Sequence, residues 1–160
     1  MNPTRNDQKE SLRKQMADLL NASLVELIDL GLQAKQAHWN VKGPSFIALH
    51  ELFDKVAEEV AEAADTVAER AVALGGVATG TVQLVDERSE LTPYSLKIKG
   101  GQQHVKALSM AMATCGTRVR ASIATATEAG DQATADVFTE VARTLDKYLW
   151  FVEAHAGAKD

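Results

Sequence analysis

The sequence predicts an all-α fold: a four-helix bundle with a short helix in the long crossover between the second and third helices. Three observations carry that reading. Four stretches repeat apolar or small residues at steps of three and four, the mark of one buried helical face. Alanine is abundant while aromatic residues make up only 5% of the chain, a balance suited to close helix-on-helix packing. A long segment punctuated by glycine and proline separates the second stretch from the third, and a connection of that length inside a compact domain is usually architectural or functional.

The first helix runs from about Asp7 to Asn40, with Leu20, Leu24, Leu27, Gly31 and Ala34 on one stripe that also takes in His38. Val41-Lys42-Gly43-Pro44 stops it, with glycine past the end of one helix and proline near the start of the next. The second helix continues to Leu74 and ends at Gly75-Gly76. Its inner positions alternate by four and three without a break: Phe46, His50, Phe53, Ala57, Val60, Ala64, Val67, Ala71 and Leu74. From Gly75 to Gly101 the chain is broken by Gly80, Pro93 and Gly100-Gly101, around one short amphipathic piece, Val82-Gln83-Leu84-Val85, that reads as a helical turn or two. A segment this long crosses from one end of a bundle to the other and joins two antiparallel pairs, the ferritin-like arrangement. The third helix carries Val105, Leu108, Met112, Val119 and Ile123 on one face and ends near Gly130. The fourth carries Phe138, Val141, Leu145, Leu149 and Val152, with Asp131 placed to cap its start. Residues 1–160 read as a single domain, with residues 1–8 a flexible segment and the chain after His155 frayed.

Composition narrows the function classes. At 160 residues with 46% apolar and 24% charged residues, the chain is an ordinary globular domain with enough length to bury a core. A formal net charge of -5 disfavours a dedicated nucleic-acid binder and has the sign that attracts cations. Cys115 is the only cysteine, which excludes an internal disulfide and a thiolate metal cluster; its apolar surroundings read as those of a buried inert thiol. Met16, Met110 and Met112 read as core or near-core packing. No apolar signal core follows the N-terminus and no run is long enough to span a bilayer, so the expected compartment is the cytoplasm.

The chemistry is concentrated on the second helix, in two pairs of potential metal ligands: His50 with Asp54, and Asp65 with Glu69. Each pair is spaced i,i+4, so its side chains stand one turn apart on one face. A single acidic residue on a long helix is usually a solvated charge, and a single histidine on an inner stripe is usually a hydrogen-bonded core residue. Four at matched spacings beside an apolar stripe, with His38 as a fifth, ask for pairing or a metal. Asp54 and Asp65 lie eleven residues apart, roughly 16 Å along a helix at ~1.5 Å per residue. Ligand atoms must approach a metal to about 2.0–2.2 Å, so the two pairs cannot share a metal from one straight helix. They form one site if two copies of the helix pack antiparallel about a two-fold axis near Glu59 and Val60, which gives two identical sites per dimer. His38, just before the tight turn, then joins His50. Two imidazoles and three carboxylates suit iron, zinc or manganese. The Glu-x-x-His motif of an intrachain di-iron bundle is missing, since Lys35, Ile47, Gly101 and Val152 stand three residues before the four histidines.

The segments Lys35-Gln36-Ala37-His38-Trp39-Asn40-Val41-Lys42-Gly43, His50-Glu51-Leu52-Phe53-Asp54 and Asp65-Thr66-Val67-Ala68-Glu69-Arg70-Ala71 resemble the Dps family, the mini-ferritins that protect DNA during starvation and oxidative stress. The resemblance continues in Leu74-Gly75-Gly76 and Leu145-Asp146-Lys147-Tyr148-Leu149-Trp150-Phe151, and runs from about residue 15 to Glu153. It implies a hollow homododecamer built from two-fold dimers, with ferroxidase sites at the dimer interfaces and ferric mineral stored inside. The implied site is His38, His50 and Asp54 of one chain with Asp65 and Glu69 of its partner. It holds two iron ions, with zinc as a competitor, and hydrogen peroxide is the preferred oxidant over oxygen. Trp39 beside the site is open to two readings, interception of stray oxidising equivalents or packing. Glu51, Glu58 and Glu62 are candidates for lining the mineral cavity. Asp136 matches a family position in the pore that admits iron, although Gln132 and Ala133 stand where other members add acids.

Direct DNA binding is not expected to dominate. Arg5, Lys9, Arg13 and Lys14 are mixed with Asp7 and Glu10, and the last residues offer Lys159 beside Asp160, a poor basic tail for phosphate contacts. Two rival readings remain open, a DNA-compacting nucleoid protein and a non-catalytic structural cage.

Overall fold

The computed structural model describes residues 1–157; Lys159 and Asp160 lie outside them. The described residues form five helices and no strand: α1 Glu10–Asn40, α2 Phe46–Ala73, α3 Val82–Arg88, α4 Gly101–Ala129 and α5 Gln132–Glu153. α1 packs along α2 and α4 along α5; α1 then packs on α4 and α2 on α5, while α3 rests against α1. Arg70, at the end of α2, pairs with Asp131 at the start of α5, and Gln102, at the start of α4, donates to the carbonyl of His155 past the end of α5. These two ties set α5 antiparallel to α2 and to α4, and the segment carrying α3 returns the chain from one end of the bundle to the other.

Each boundary has a local cause. α1 ends in the turn at 41–45, where Gly43 adopts φ 114, a conformation that side chains with a Cβ rarely adopt. α4 ends at Gly130 in the left-handed conformation, φ 87. α5 starts at Asp131, whose carboxylate accepts from the backbone N–H of Thr134 at 3.1 Å, as the sequence leads one to expect. The short crossover helix extends beyond the expected Val82–Val85 to Arg88.

The core runs the length of the bundle. Met16, Leu20, Leu27 and Leu30 of α1 meet Leu49 and Phe53 of α2, Leu108 and Met112 of α4, and Phe138 and Leu145 of α5, all essentially inaccessible to water. Burying side chains of this size stabilises the fold by about 1.5–3 kcal/mol each relative to exposure. Cys115 is fully buried and burial pushes its thiol up to about 12, in keeping with an inert role. Two apolar expectations fail. Phe46, the first residue of α2, is exposed at the turn, and Met110 is exposed on the outer face of α4. Residues 1–9 precede α1; the backbone N–H of Asn2 donates to the carbonyl of Gly75 at 2.6 Å and the Arg13 guanidinium donates to that of Leu74 at 2.9 Å.

Candidate metal centre

The tight turn between α1 and α2 sets the last turn of α1 level with the first turns of α2. His38 from α1 and His50 from α2 therefore meet, with ring centroids 3.8 Å apart and planes inclined by 22°. Their outer nitrogens are fixed by a reciprocal pair of hydrogen bonds. His38 Nδ1 donates to the carbonyl of His50 at 2.8 Å, and His50 Nδ1 donates to the carbonyl of His38 at 2.9 Å. A carbonyl can only accept, so each Nδ1 carries its proton and each Nε2 presents a lone pair when the ring is neutral. A metal-ligating histidine needs that tautomer and that backbone support.

Asp54, one turn beyond His50, completes the cluster. Its Oδ1 lies 3.9 Å from His38 Nε2. Two bonds of about 2.0–2.2 Å to a single ion reach across that separation, so the pair is already at metal-bridging distance. The same Oδ1 accepts a hydrogen bond from the Lys35 ammonium, one turn before His38 on α1. The Lys35 hydrogen bond holds the Asp54 carboxyl below the usual carboxylate range, with His38 and His50 adding to the effect against the opposing influence of burial.

Asp65 and Glu69 stand further along α2, exposed on the bundle surface. Asp65 borders a groove of about 490 Å³ between α1 and α2, lined chiefly by small and apolar residues including Gly31, Ala57, Ala61, Ala64 and Ala68, with Lys35 on its rim. α2 is unbroken from Asp54 to Asp65, which keeps the two carboxylates roughly 16 Å apart along its axis at ~1.5 Å per residue. Among the described residues no group of three or more histidine, cysteine or acidic side chains converges tightly enough to hold a metal within one chain. Within one chain His38 stacks on His50 and approaches Asp54, while Asp65 and Glu69 stand apart further along α2.

The other candidates are placed as follows. Trp39 is exposed beside His38, and Glu51, Glu58 and Glu62 are exposed along α2, Glu58 within 3.1 Å of Lys55. Asp136 is exposed in the first part of α5, at the far end of the bundle from the histidines. Sequence reasoning passed over Lys35. Its signal was the spacing of three from His38 on the helix whose end faces Asp54. The reciprocal imidazole–carbonyl bonds have no sequence signal, since they arise only from folding α1 back on α2.

Comparison with known proteins agrees with this architecture. Residues 17–158 match the Ferritin-like domain. The DNA protection during starvation protein of Agrobacterium fabrum is 44% identical over 156 residues, covering 98% of this chain and 96% of that protein. Among solved structures, the tetragonal form of Mycobacterium smegmatis Dps superposes with a TM-score of 0.90 at 34% identity, covering 96% of this chain and 93% of that one. Dps from Microbacterium arborescens, solved in a high iron form, superposes with a TM-score of 0.87 at 34% identity, covering 93% and 96% respectively. An all-helical bundle with a crossover, a family match over nearly its whole length and relatives named for DNA protection lead to one conclusion: the chain belongs to the Dps family of ferritin-like proteins.

Proposed function

We propose that this protein oxidises Fe(II) to Fe(III) with hydrogen peroxide and stores the ferric product inside a cage of twelve copies, protecting DNA by removing both reactants. The observation that carries the reading is the half-site of His38, His50 and Asp54, with both imidazoles held in the ligating tautomer. The missing ligands are supplied by a second copy. If α2 packs antiparallel on α2 of a neighbour near Glu59 and Val60, the partner subunit's Asp65 and Glu69 face this half-site. The groove of small residues between α1 and α2 gives the close approach that such packing needs.

The donor set fits iron as substrate. Three carboxylates and two imidazoles favour hard, oxygen- and nitrogen-seeking ions, with zinc as a competitor, and anionic oxygen donors favour the ferric over the ferrous state. Two Fe(II) ions side by side deliver two electrons to one peroxide; with two protons this gives two waters and two Fe(III). A lone Fe(II) delivers one electron and releases a hydroxyl radical, the species that damages DNA. Glu51, Glu58 and Glu62 are assigned to the cavity wall and Asp136 to the pore through which iron enters. The chemistry belongs in the reducing cytoplasm, where Fe(II) is available, and no helix among the described residues is long and apolar enough to cross a membrane.

Anaerobic loading with Fe(II) followed by a peroxide pulse tests the reading. Wild type is expected to give a fast near-ultraviolet rise of Fe(III), consuming one peroxide for two irons. The His50→Ala/Asp54→Ala double variant is expected to lose that phase. Equal slow traces from both proteins overturn the ferroxidase assignment.

A further inference from the structure

We propose that Lys35 is a resident counter-ion that stands in for the metal, neutralising the shared site so that two copies can pair before iron arrives and being displaced when it does. The inference rests on the shared site proposed above and adds a regulatory element to it.

The geometry is specific to one atom. Asp54 Oδ1 faces both the Lys35 ammonium and, at 3.9 Å, His38 Nε2. An ion bridging His38 and Asp54 therefore has to occupy the space into which the ammonium points. Lys35 and a divalent ion bind the same oxygen and cannot both hold it on that side. Lysine suits such an exchange, because its compact charge rides on a flexible stem and its side chain is 37% exposed, about as much as that of Asp54 at 35%. Its side chain also borders the groove that Asp65 lines further along α2.

The charge count gives the exchange a purpose. Pairing two copies brings the partner subunit's Asp65 and Glu69 up to Asp54, placing three carboxylates within reach of one another beside the two imidazoles. Like charges that close repel unless a cation intervenes. Lys35 supplies one positive charge to that cluster without any metal, and a divalent ion supplies more. Metal and Lys35 are therefore alternative stabilisers of one interface, and removing the lysine must act in opposite directions on two measurable quantities. Metal affinity should rise because a competitor is gone. The metal-free assembly should weaken because the ammonium that neutralises Asp54 is gone.

The experiment uses Co(II), which does not turn over, as the metal probe. Metal-free wild type, Lys35→Met, Lys35→Gln, Lys35→Arg and Asp54→Ala are titrated calorimetrically with Co(II) and followed by its visible absorption. The urea concentration at which each assembly dissociates is read by sedimentation with and without Co(II). Lys35→Met and Lys35→Gln are expected to bind Co(II) about five-fold more tightly, the ratio set by a half-exposed ion pair at the upper end of its usual strength. Their metal-free assemblies are expected to dissociate at lower urea, with the deficit erased by Co(II), while Lys35→Arg stays close to wild type. Equal or weaker Co(II) binding by the two neutral variants overturns the role of Lys35. If Asp54→Ala binds Co(II) as wild type does, the shared metal site itself falls. If Asp54→Ala loses Co(II) while the neutral variants match wild type, the site stands and only the counter-ion role falls.

Discussion

Asp131 performs two jobs that can be separated by substitution, and its removal is the stability test that the structure defines most sharply. The residue is 1% exposed. Its carboxylate caps α5 by accepting from the Thr134 N–H at 3.1 Å and from the Thr134 hydroxyl at 2.5 Å, and it pairs with the Arg70 guanidinium at 3.0 and 3.1 Å. Asp131→Asn keeps an effective cap but loses the charge opposite Arg70, and hydrogen bonds to charged groups contribute about 1.5–3 kcal/mol. Asp131→Ala loses the cap as well, a further ~1 kcal/mol. The expected order in urea unfolding, followed by circular dichroism at fixed protein concentration, is wild type, then Asn lower by about 2 kcal/mol, then Ala lower by about 3 kcal/mol. The effect also has a pH signature. Burial alone would raise the Asp131 carboxyl, but the two Thr134 bonds and Arg70 outweigh it and hold the group below the usual range. A carboxyl depressed in the folded state stabilises fully above its unfolded value of about 3.9 and loses that contribution as pH falls through the folded value. The gap between wild type and Asp131→Asn should therefore be constant above about pH 5 and shrink only in more acidic solution. Equal stability of Asn and Ala variants would show that the cap contributes nothing; a gap that widens on acidification would refute the charge assignment.

Two further expectations concern buried groups elsewhere. Cys115, buried and with its thiol pushed up to about 12, should resist a thiol-specific disulfide reagent at pH 8 in the native assembly and react at once in denaturant; rapid native reaction would contradict the packing of α4. The Tyr94 hydroxyl and His104 Nδ1 are hydrogen-bonded at 2.7 Å, and burial, opposed by a backbone bond to Asn40, lowers the His104 pKa, which favours a ring nitrogen that accepts. Tyr94→Phe strands that buried acceptor at a cost of about 1–3 kcal/mol. It should speed hydrogen exchange in the crossover near Tyr94 more than in α1; uniform exchange would place the anchor of the crossover elsewhere.

Much of the fold was legible because the bundle writes its core into the sequence at a fixed period. Leu20, Leu27, Phe53, Val60, Val67, Phe138 and Leu145 lie where their spacing puts them, buried. The failures sit at the margins of that rule. Phe46 continues the inner stripe of α2 by arithmetic, but helical phase says nothing about whether a neighbouring helix extends as far as the turn. Met110 stands in an apolar run of the sequence, yet its helical phase puts it on the outer face of α4. The candidate site divides in the same way. The spacings of His50 with Asp54 and of Asp65 with Glu69 are local, so they could be read directly, as could the impossibility of joining them on one helix. The Lys35 contact with Asp54 and the reciprocal histidine bonds cross between helices. They depend on the angle at which the 41–45 turn returns the chain, which no spacing encodes.

Complementation between two inactive variants tests most directly whether two chains build one site. Asp54→Ala removes a ligand from one half-site and Glu69→Ala removes one from the other, so each variant alone should lack rapid peroxide-driven oxidation of Fe(II). Equal amounts of the two are unfolded together, reassembled and assayed by the near-ultraviolet rise of Fe(III). With random pairing about a quarter of the sites take an intact half from each parent, so about a quarter of wild-type rapid activity should return. A mixture as inactive as its parents would contradict the shared site.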